Sequence, residues 1–321
     1  MMYSRIADTN LNACKIVLGT HTFGTTTDKD LAFALLDKYV ELGGNMLDTA
    51  SAYADWMNMG KSMSEKTIGE WIESRNNREK IIISTKGGHH DMQTGASRLS
   101  VEELKYDFEQ SLINLKTDYI DIYWLHKDDV TQSPEALIEN LNKAVDLKKV
   151  RCLGASNWKY DRIIAANEYA LKNGLAPIKA SQIMHNFTSP NSVASDILAM
   201  DPDEYKKYCA DNLDMFAFSA QAGGFFAIME KSGFEGLSPS AQKNMNNEHN
   251  MELYKRVSEI AKEKNASASA AALALLVKDK QLNTFAQIGP LTIEQLVGSF
   301  EALKVQISDE QRNYILDDLN Y

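Results

Sequence analysis

Leu47-Asp48-Thr49-Ala50-Ser51-Ala52-Tyr53 is the stretch from which the rest of the chain can be read. An apolar approach ends at a carboxylate and small residues then lead to a tyrosine, which puts Asp48 at the end of a strand and Tyr53 in the loop after it. A phenol has an ordinary pKa of about 10, so a tyrosine working as an acid near neutrality needs a cation beside it. Lys86 is the candidate. It closes the next apolar run, Lys80-Ile81-Ile82-Ile83-Ser84-Thr85-Lys86, and the run after that, Tyr119-Ile120-Asp121-Ile122-Tyr123-Trp124-Leu125, leads to His126. Successive predicted strands therefore each end at a titratable group.

Outward from this core, apolar runs of strand length alternate with amphipathic helical stretches, the mark of βα units around a parallel sheet. Strands are expected at 15–19, 45–48, 80–85, 119–125, 150–154, up to 182–183, 215–218 and 284–289, after a hairpin near 3–13. Helices are expected from Asp28 to the Gly43-Gly44 stop, from about Ser64, from the capping-box pattern Ser100-x-x-Glu103, and at 134–148, with a further one ending near Asn173. Others are expected at 203–212, 251–264 and 267–277, from Thr292, and from Ser308 nearly to the terminus. The stretch 221–250, rich in Gly, Ser and Asn, reads as a long loop over the barrel mouth. The fold class expected is α/β, a (β/α)8 TIM barrel with an N-terminal hairpin and additional helices, forming one domain over 1–321.

Composition agrees with that size. The chain has 321 residues, 44% of them hydrophobic, where such a barrel typically takes about 250. A net charge of −10 argues against nucleic acid or an anionic membrane as partner, and suits a cytoplasmic protein. The three cysteines, Cys14, Cys152 and Cys209, lie too far apart for a disulfide framework or a Cys-X-X-Cys metal site. The first ten residues hold no apolar core of a secretory signal, and the apolar stretch at 270–277 is too short to span a bilayer. Nothing in the composition speaks to an oligomeric state.

The active site of a (β/α)8 barrel lies at the C-terminal ends of its strands. His21, Asp48 with Tyr53, Lys86, His126, Ser156 with Asn157, Gln182, and Phe218 with Ser219 all close a predicted strand or follow one within a few residues. Singly, each has an ordinary reading: a helix cap for Asp48, a half-buried aromatic for Tyr53, a surface charge for Lys86, a satisfied core histidine for His126. Jointly, and in that order, Asp48, Tyr53, Lys86 and His126 resemble the catalytic tetrad of the aldo-keto reductases, with similarity running from about Ile16 to the C-terminus.

The resemblance implies hydride transfer between a nicotinamide cofactor and a small-molecule carbonyl, with Tyr53 as general acid, Lys86 lowering its pKa, Asp48 holding the lysine, and His126 donating to the same oxygen. It also implies that Ser156, Asn157 and Gln182 hold the nicotinamide carboxamide and that Phe218 stacks on the ring. Ser219, Gln221, Gly223 and Gly224 would wrap the pyrophosphate, with Gly289, Gln295 and Ser299 following strand 8. One departure stands out. Where the family usually carries a Lys or Arg for the adenosine 2′-phosphate, the chain reads Gly289-Pro290-Leu291-Thr292-Ile293-Glu294-Gln295. NADP(H) is the family default, and the missing cation makes NAD(H) an alternative. Lys278 and Lys280 precede strand 8 and read as solvated helix-end charges.

Candidate pocket residues Trp56, His89, His90, Trp124 and Asp128, with Asp129, His185 and Asn186, mix flat aromatics with hydrogen-bonding groups. That mixture suits a sugar-like, polyhydroxylated substrate. Two other function classes compete. A metal-dependent barrel hydrolase is suggested by His21, His89, His90, His126 and Asp128, but His21-Thr22-Phe23 lacks the His-X-His such a site favours, and no metal site is expected. A cofactor-binding regulatory protein on the same scaffold is the other, against which the complete tetrad argues.

Overall fold

A computed structural model describes residues 2–6, 8–211 and 213–316. Eight parallel strands close into a barrel: β3 (Ile16–Gly19), β4 (Met46–Asp48), β5 (Ile82–Gly87), β6 (Ile120–Leu125), β7 (Val150–Ser156), β8 (Ile178–Met184), β9 (Asp214–Phe218) and β10 (Thr284–Ile288), with β10 pairing back onto β3. The expected (β/α)8 TIM barrel is the observed fold. A small antiparallel sheet of β1 (Tyr3–Arg5) and β2 (Asn12–Cys14) precedes it, and Ile6, Leu11 and Ala13 of this hairpin pack against the barrel interior. The interior is filled by Val17, Met46, Ile82, Ile122, Trp124, Cys152, Ala180, Phe216 and Phe285, leaving the opposite rim for polar groups. Trp124 fits there because β7 carries Gly154 opposite it, where an added Cβ would lie 2.1 Å from the indole.

The outer helices follow local signals. α1 (Lys29–Glu41) is capped by Asp28, α3 (Val101–Asn114) opens with the full Ser100–Glu103 capping box, and α4 (Pro134–Ala144) starts from Ser133 with proline in the first turn. α2 (Met63–Arg75), α5 (Tyr160–Lys172) and α6 (Pro202–Asp211) complete that half of the shell. α4 stops short of the expected residue 148 because Val145 is extended and the Asp146 carboxylate accepts from the Lys148 N–H, forming a turn into β7.

The stretch expected to be one long loop holds two helices, α7 (Phe225–Ser232) and α8 (Pro239–Met245), before α9 (Glu248–Glu263). Phe225, Phe226, Met229 and Met245 bury their side chains there, and Ser238 followed by Pro239 starts α8. α10 (Ala268–Val277), α11 (Ile293–Phe300) and α12 (Asp309–Leu316) follow, capped in the first two cases by Ser267 and Thr292. The expected ends of the 203–212 helix and of the last helix fall at Asn212 and at 317–321, outside the described residues. No helix among the described residues is long and apolar enough to cross a membrane. All three cysteines are free thiols.

Candidate active site

Side chains two apart on a strand share a face, and in β5 this puts Ser84 and Lys86 together on the inside of the barrel, with Lys86 at the rim. The strand runs two residues further than the sequence suggested, so Lys86 lies within it. The chain leaving β4 stays paired to β5: the Thr49 N–H donates to the Ser84 carbonyl and the Ser51 N–H to the Lys86 carbonyl. Those bonds carry Tyr53 over Lys86. On the other side, the His126 N–H donates to the Gly87 carbonyl.

The result is a connected set. The Lys86 ammonium donates to Asp48 Oδ2 at 2.6 Å, to the Thr49 carbonyl at 2.8 Å and to the Tyr53 hydroxyl oxygen at 2.9 Å, which uses all three of its N–H groups. The other Asp48 oxygen accepts from Ser84 Oγ at 2.6 Å and Gln182 Nε2 at 3.0 Å. Asp48 and Lys86 are each about 1% exposed, so the pair is a buried ion pair whose remaining lone pairs are met. The His126 ring stands edge-on to Tyr53 at 5.7 Å, and Trp56 and His21 approach the same phenol at 6.3 and 6.4 Å.

Burial raises the Tyr53 pKa above its ordinary value, and the facing Lys86 ammonium opposes this without overcoming it. Lys86 itself is pulled down by burial, but Asp48 and Tyr53 outweigh that and leave its pKa raised. Burial, reinforced by the charges of Lys86, His89, Lys127 and His90, drives His126 well below the usual histidine value. Near neutrality the set is thus a protonated phenol, an ammonium paired with the Asp48 carboxyl, and a neutral imidazole.

These groups open onto a cleft of about 840 Å³ across the C-terminal ends of the strands. Asp48, Tyr53 and His126 line it, as do all the residues expected at a cofactor: Ser156, Asn157, Gln182, Phe218, Ser219, Gln221, Gly223, Gly224, Gly289, Gln295 and Ser299. The cleft suits an extended dinucleotide. Ser219, Ala222, Gly223 and Gly224 have positive φ, and a Cβ on Gly223 would meet nothing within 4 Å, so this turn presents backbone to open space. At the far end Gln221 donates to Ser269 Oγ and Ser299 Oγ at 3.3 and 3.2 Å, and Gln295 accepts from the Leu291 N–H.

The expected pocket residues divide. Trp56 lines the cleft with its side chain half exposed. Trp124 does not: it lies one layer deeper, edge-on to Phe216 at 5.1 Å in the barrel core. Asp128 is held by Arg162 through bonds of 2.6 and 2.8 Å, fastening the loop after β6 to α5. His89 and His90 stand behind His126, with the His89 ring 4.7 Å from it, and do not line the cleft. Asp129 folds onto Thr131 and Gln132, Asn186 binds the Ser219 carbonyl, and His185 packs on Phe187 and Tyr205. The described residues contain no group of three or more His, Cys, Asp or Glu side chains arranged to hold a metal ion.

Sequence reasoning passed over Ser84, Lys127, Glu230, Ser269 and Gln287. Ser84 was findable, since it precedes Lys86 by two on a strand. Lys127 lines the cleft beside His126, tied at 2.6 Å to Asp196. Glu230 lines it from α7 and accepts from the Ala268 N–H at the start of α10. No signal near these last residues told that chain closure would bring them to the cleft. Lys278 and Lys280 point elsewhere, to the Val305 carbonyl and to Asp309.

Comparison with known proteins agrees with this geometry. The model of the Aldo/keto reductase family matches residues 15–318. A norsolorinic acid reductase of Emericella nidulans is 31% identical over 312 residues, covering 94% of this chain and 75% of its own. A probable aryl-alcohol dehydrogenase of Saccharomyces cerevisiae is 29% identical over 301 residues, covering 90% and 87%. A crystal structure of a thermostable aldo-keto reductase in complex with the inhibitor epalrestat superposes with a TM-score of 0.76 at 20% identity, over 99% of this chain and 100% of that one. The chain therefore belongs to the aldo/keto reductase family and is an oxidoreductase, of a family that works on carbonyls with NAD(P)H.

Proposed function

We propose that Tyr53 is the general acid of a carbonyl reduction and that Lys86, Asp48 and His126 act with it. The observation that carries this is the hydrogen bond from the Lys86 ammonium to the Tyr53 oxygen at 2.9 Å, in a buried chain continuing to Asp48 at 2.6 Å. Because the ammonium occupies one lone pair of that oxygen, the phenol's own proton is left for a carbonyl in the cleft. General acid catalysis of this kind is worth about 10² to 10⁴-fold. Lys86 then faces the phenolate left behind, and Asp48 keeps the ammonium charged and in place. His126 is neutral and its Nδ1 is sealed without a partner among the described residues, so the tautomer with the proton on Nε2 supplies a second donor for the same oxygen. The nicotinamide cofactor, when bound, supplies the hydride.

For that cofactor, Ser156, Asn157 and Gln182 offer amide and hydroxyl groups to a carboxamide, Phe218 a ring to stack on, and the 219–224 turn backbone amides to phosphate. NADH is the preferred partner in this reading. Residues 289–299 carry no Lys or Arg, and Glu230 on the neighbouring wall would repel a 2′-phosphate.

The substrate is read as an aromatic aldehyde or ketone. Relatives named for norsolorinic acid and aryl alcohols support this, and Trp56 stands beside Tyr53 at the open side of the cleft. Of the polar groups that suggested a sugar, His89, His90 and Asp128 do not line the cleft. A polyhydroxylated substrate remains the second reading, favoured by His21 and Lys127 on the cleft wall. The test is parallel fluorescence titration with NADH and NADPH, followed by a panel of aryl aldehydes, aryl ketones and aldoses. Absence of binding by either dinucleotide overturns the cofactor reading, and faster turnover of aldoses than of aryl carbonyls overturns the aromatic one.

A further inference from the structure

Gln287 lies in the last barrel strand, Thr284-Phe285-Ala286-Gln287-Ile288, where no other residue carries an amide or a charge. Phe285, two residues before it, points into the barrel and stacks on Phe216 at 4.7 Å. Gln287 shares that face and stands one layer nearer the C-terminal rim, paired in register with Val17 of β3. The next inward position of β3 is Gly19, which also lines the cleft and brings no side chain to contest the space.

Gln287 lines the cleft while only 7% exposed, and its Nε2 is sealed without a hydrogen-bond partner among the described residues. An unmet buried donor destabilises the fold, and an aliphatic side chain at this strand position would avoid that cost. The Nε1 of Trp124 is likewise unmet, but Trp124 does not reach the cleft. Along the cleft, β10 lies next to β9 with Phe218 and leads into Gly289, which His21 approaches from above. Gln287 therefore sits between the Ser156, Asn157 and Gln182 end and the Gln295 and Ser299 end. In a dinucleotide laid along these groups, the part crossing this floor is the ribose–phosphate bridge.

Resting on the dinucleotide reading above, we propose that Gln287 is a cofactor-binding residue whose amide turns from its sealed position to donate to an oxygen of the nicotinamide-side ribose or its phosphate in the cofactor's bridge. ADP-ribose contains the nicotinamide-side ribose and its phosphate, and AMP, which is the adenosine-side ribose and phosphate, lacks both, so the two ligands separate this from general effects on the cleft. Gln287→Leu should weaken ADP-ribose about tenfold by calorimetry, leave AMP unchanged, and leave the melting temperature of the protein alone equal or higher. Gln287→Glu keeps the shape and tells the acceptor apart: further weakening marks a phosphate oxygen, and retained affinity marks a ribose hydroxyl. ADP-ribose affinity within twofold of wild type in both variants, or an equal loss for AMP, overturns the proposal. Should Gln287→Leu fail to fold, Gln287→Met, which keeps the length without the amide, decides by the same ADP-ribose and AMP comparison. A wild-type chain that binds neither ADP-ribose nor AMP overturns the dinucleotide reading itself, and the proposal with it.

Discussion

At the Tyr53 end of the cleft, the Lys86 ammonium spends its three donors at 2.6, 2.8 and 2.9 Å, and Asp48 accepts from three neighbours. At the Ser299 end, Gln221 reaches Ser269 and Ser299 through bonds of 3.3 and 3.2 Å, and the neighbouring charge is Glu230 rather than a cation. One end is a paired, buried and tied set of charges; the other has uncharged groups beside a single carboxylate and is held by longer bonds. Proton transfer needs donor and acceptor fixed to within a fraction of an ångström, and burial supplies that at the cost of desolvating charges. Gripping the far end of a cofactor needs only groups that can close on it. The comparison predicts that changes at the first end cost stability as well as rate, and that changes at the second alter choice of ligand alone.

Lys86→Met should have the largest effect. It leaves the Asp48 carboxylate buried and unpaired, which costs about 3–5 kcal/mol, seen as a lower urea midpoint together with loss of turnover. Adding Asp48→Asn should return most of the stability and none of the activity. If the single variant is as stable as wild type, the pair is not the rigid anchor described. Tyr53→Phe should lower kcat by about 10² to 10⁴-fold and lower the melting temperature modestly, because one buried Lys86 N–H loses its partner, while dinucleotide affinity stays near wild type. A large change in affinity would mean that the two ends are not separable.

Acid comes next in size. Burial lowers His126 well below the histidine range and His185 to about 4. A depressed folded pKa means that the unfolded chain binds protons first as pH falls. Stability is therefore full above about pH 6.5 and is lost as pH drops toward the folded values, by up to about 1.4 kcal/mol per pH unit for each such histidine. Urea unfolding at pH 7, 6 and 5 measures it, and a flat profile would show that neither ring is kept neutral by the fold. The smallest change is expected at the other end: Leu291→Arg should raise NADPH affinity relative to NADH by roughly tenfold, about 1.4 kcal/mol, with stability unchanged. An unaltered ratio would place the cation-binding position elsewhere.

Much of this was legible before any coordinates. The βα alternation gave the barrel, and the ends of its strands gave Asp48, Tyr53, Lys86 and His126, because strand period and helix caps are local properties of the chain. The 221–250 stretch misled for the same reason. Its glycines and asparagines outweighed short apolar patches at Phe225, Phe226, Met229 and Met245, which become helical only where the rest of the fold covers them. Trp124 shows a subtler limit, since it lies on β6 and His126 follows the strand by one residue with the same parity, and parity tells face but not depth. Asp128 was free in the sequence until α5 brought Arg162 to it from 34 positions away.

The sequence by itself determined which groups can do chemistry and that they stand at one rim of a barrel, since both follow from residue type and short-range periodicity. Only the tertiary structure decided that Lys86 uses all its donors within the site, that Glu230 rather than a cation faces the Ser299 end of the cleft, and that Gln287 lines the cleft with its Nε2 unpartnered among the described residues. Those outcomes depend on segments far apart in the chain coming together, from 33 to 38 positions between Lys86 and its partners to more than two hundred between β3 and β10, and distances of that kind are set by closure of the barrel, on which no local stretch has any hold.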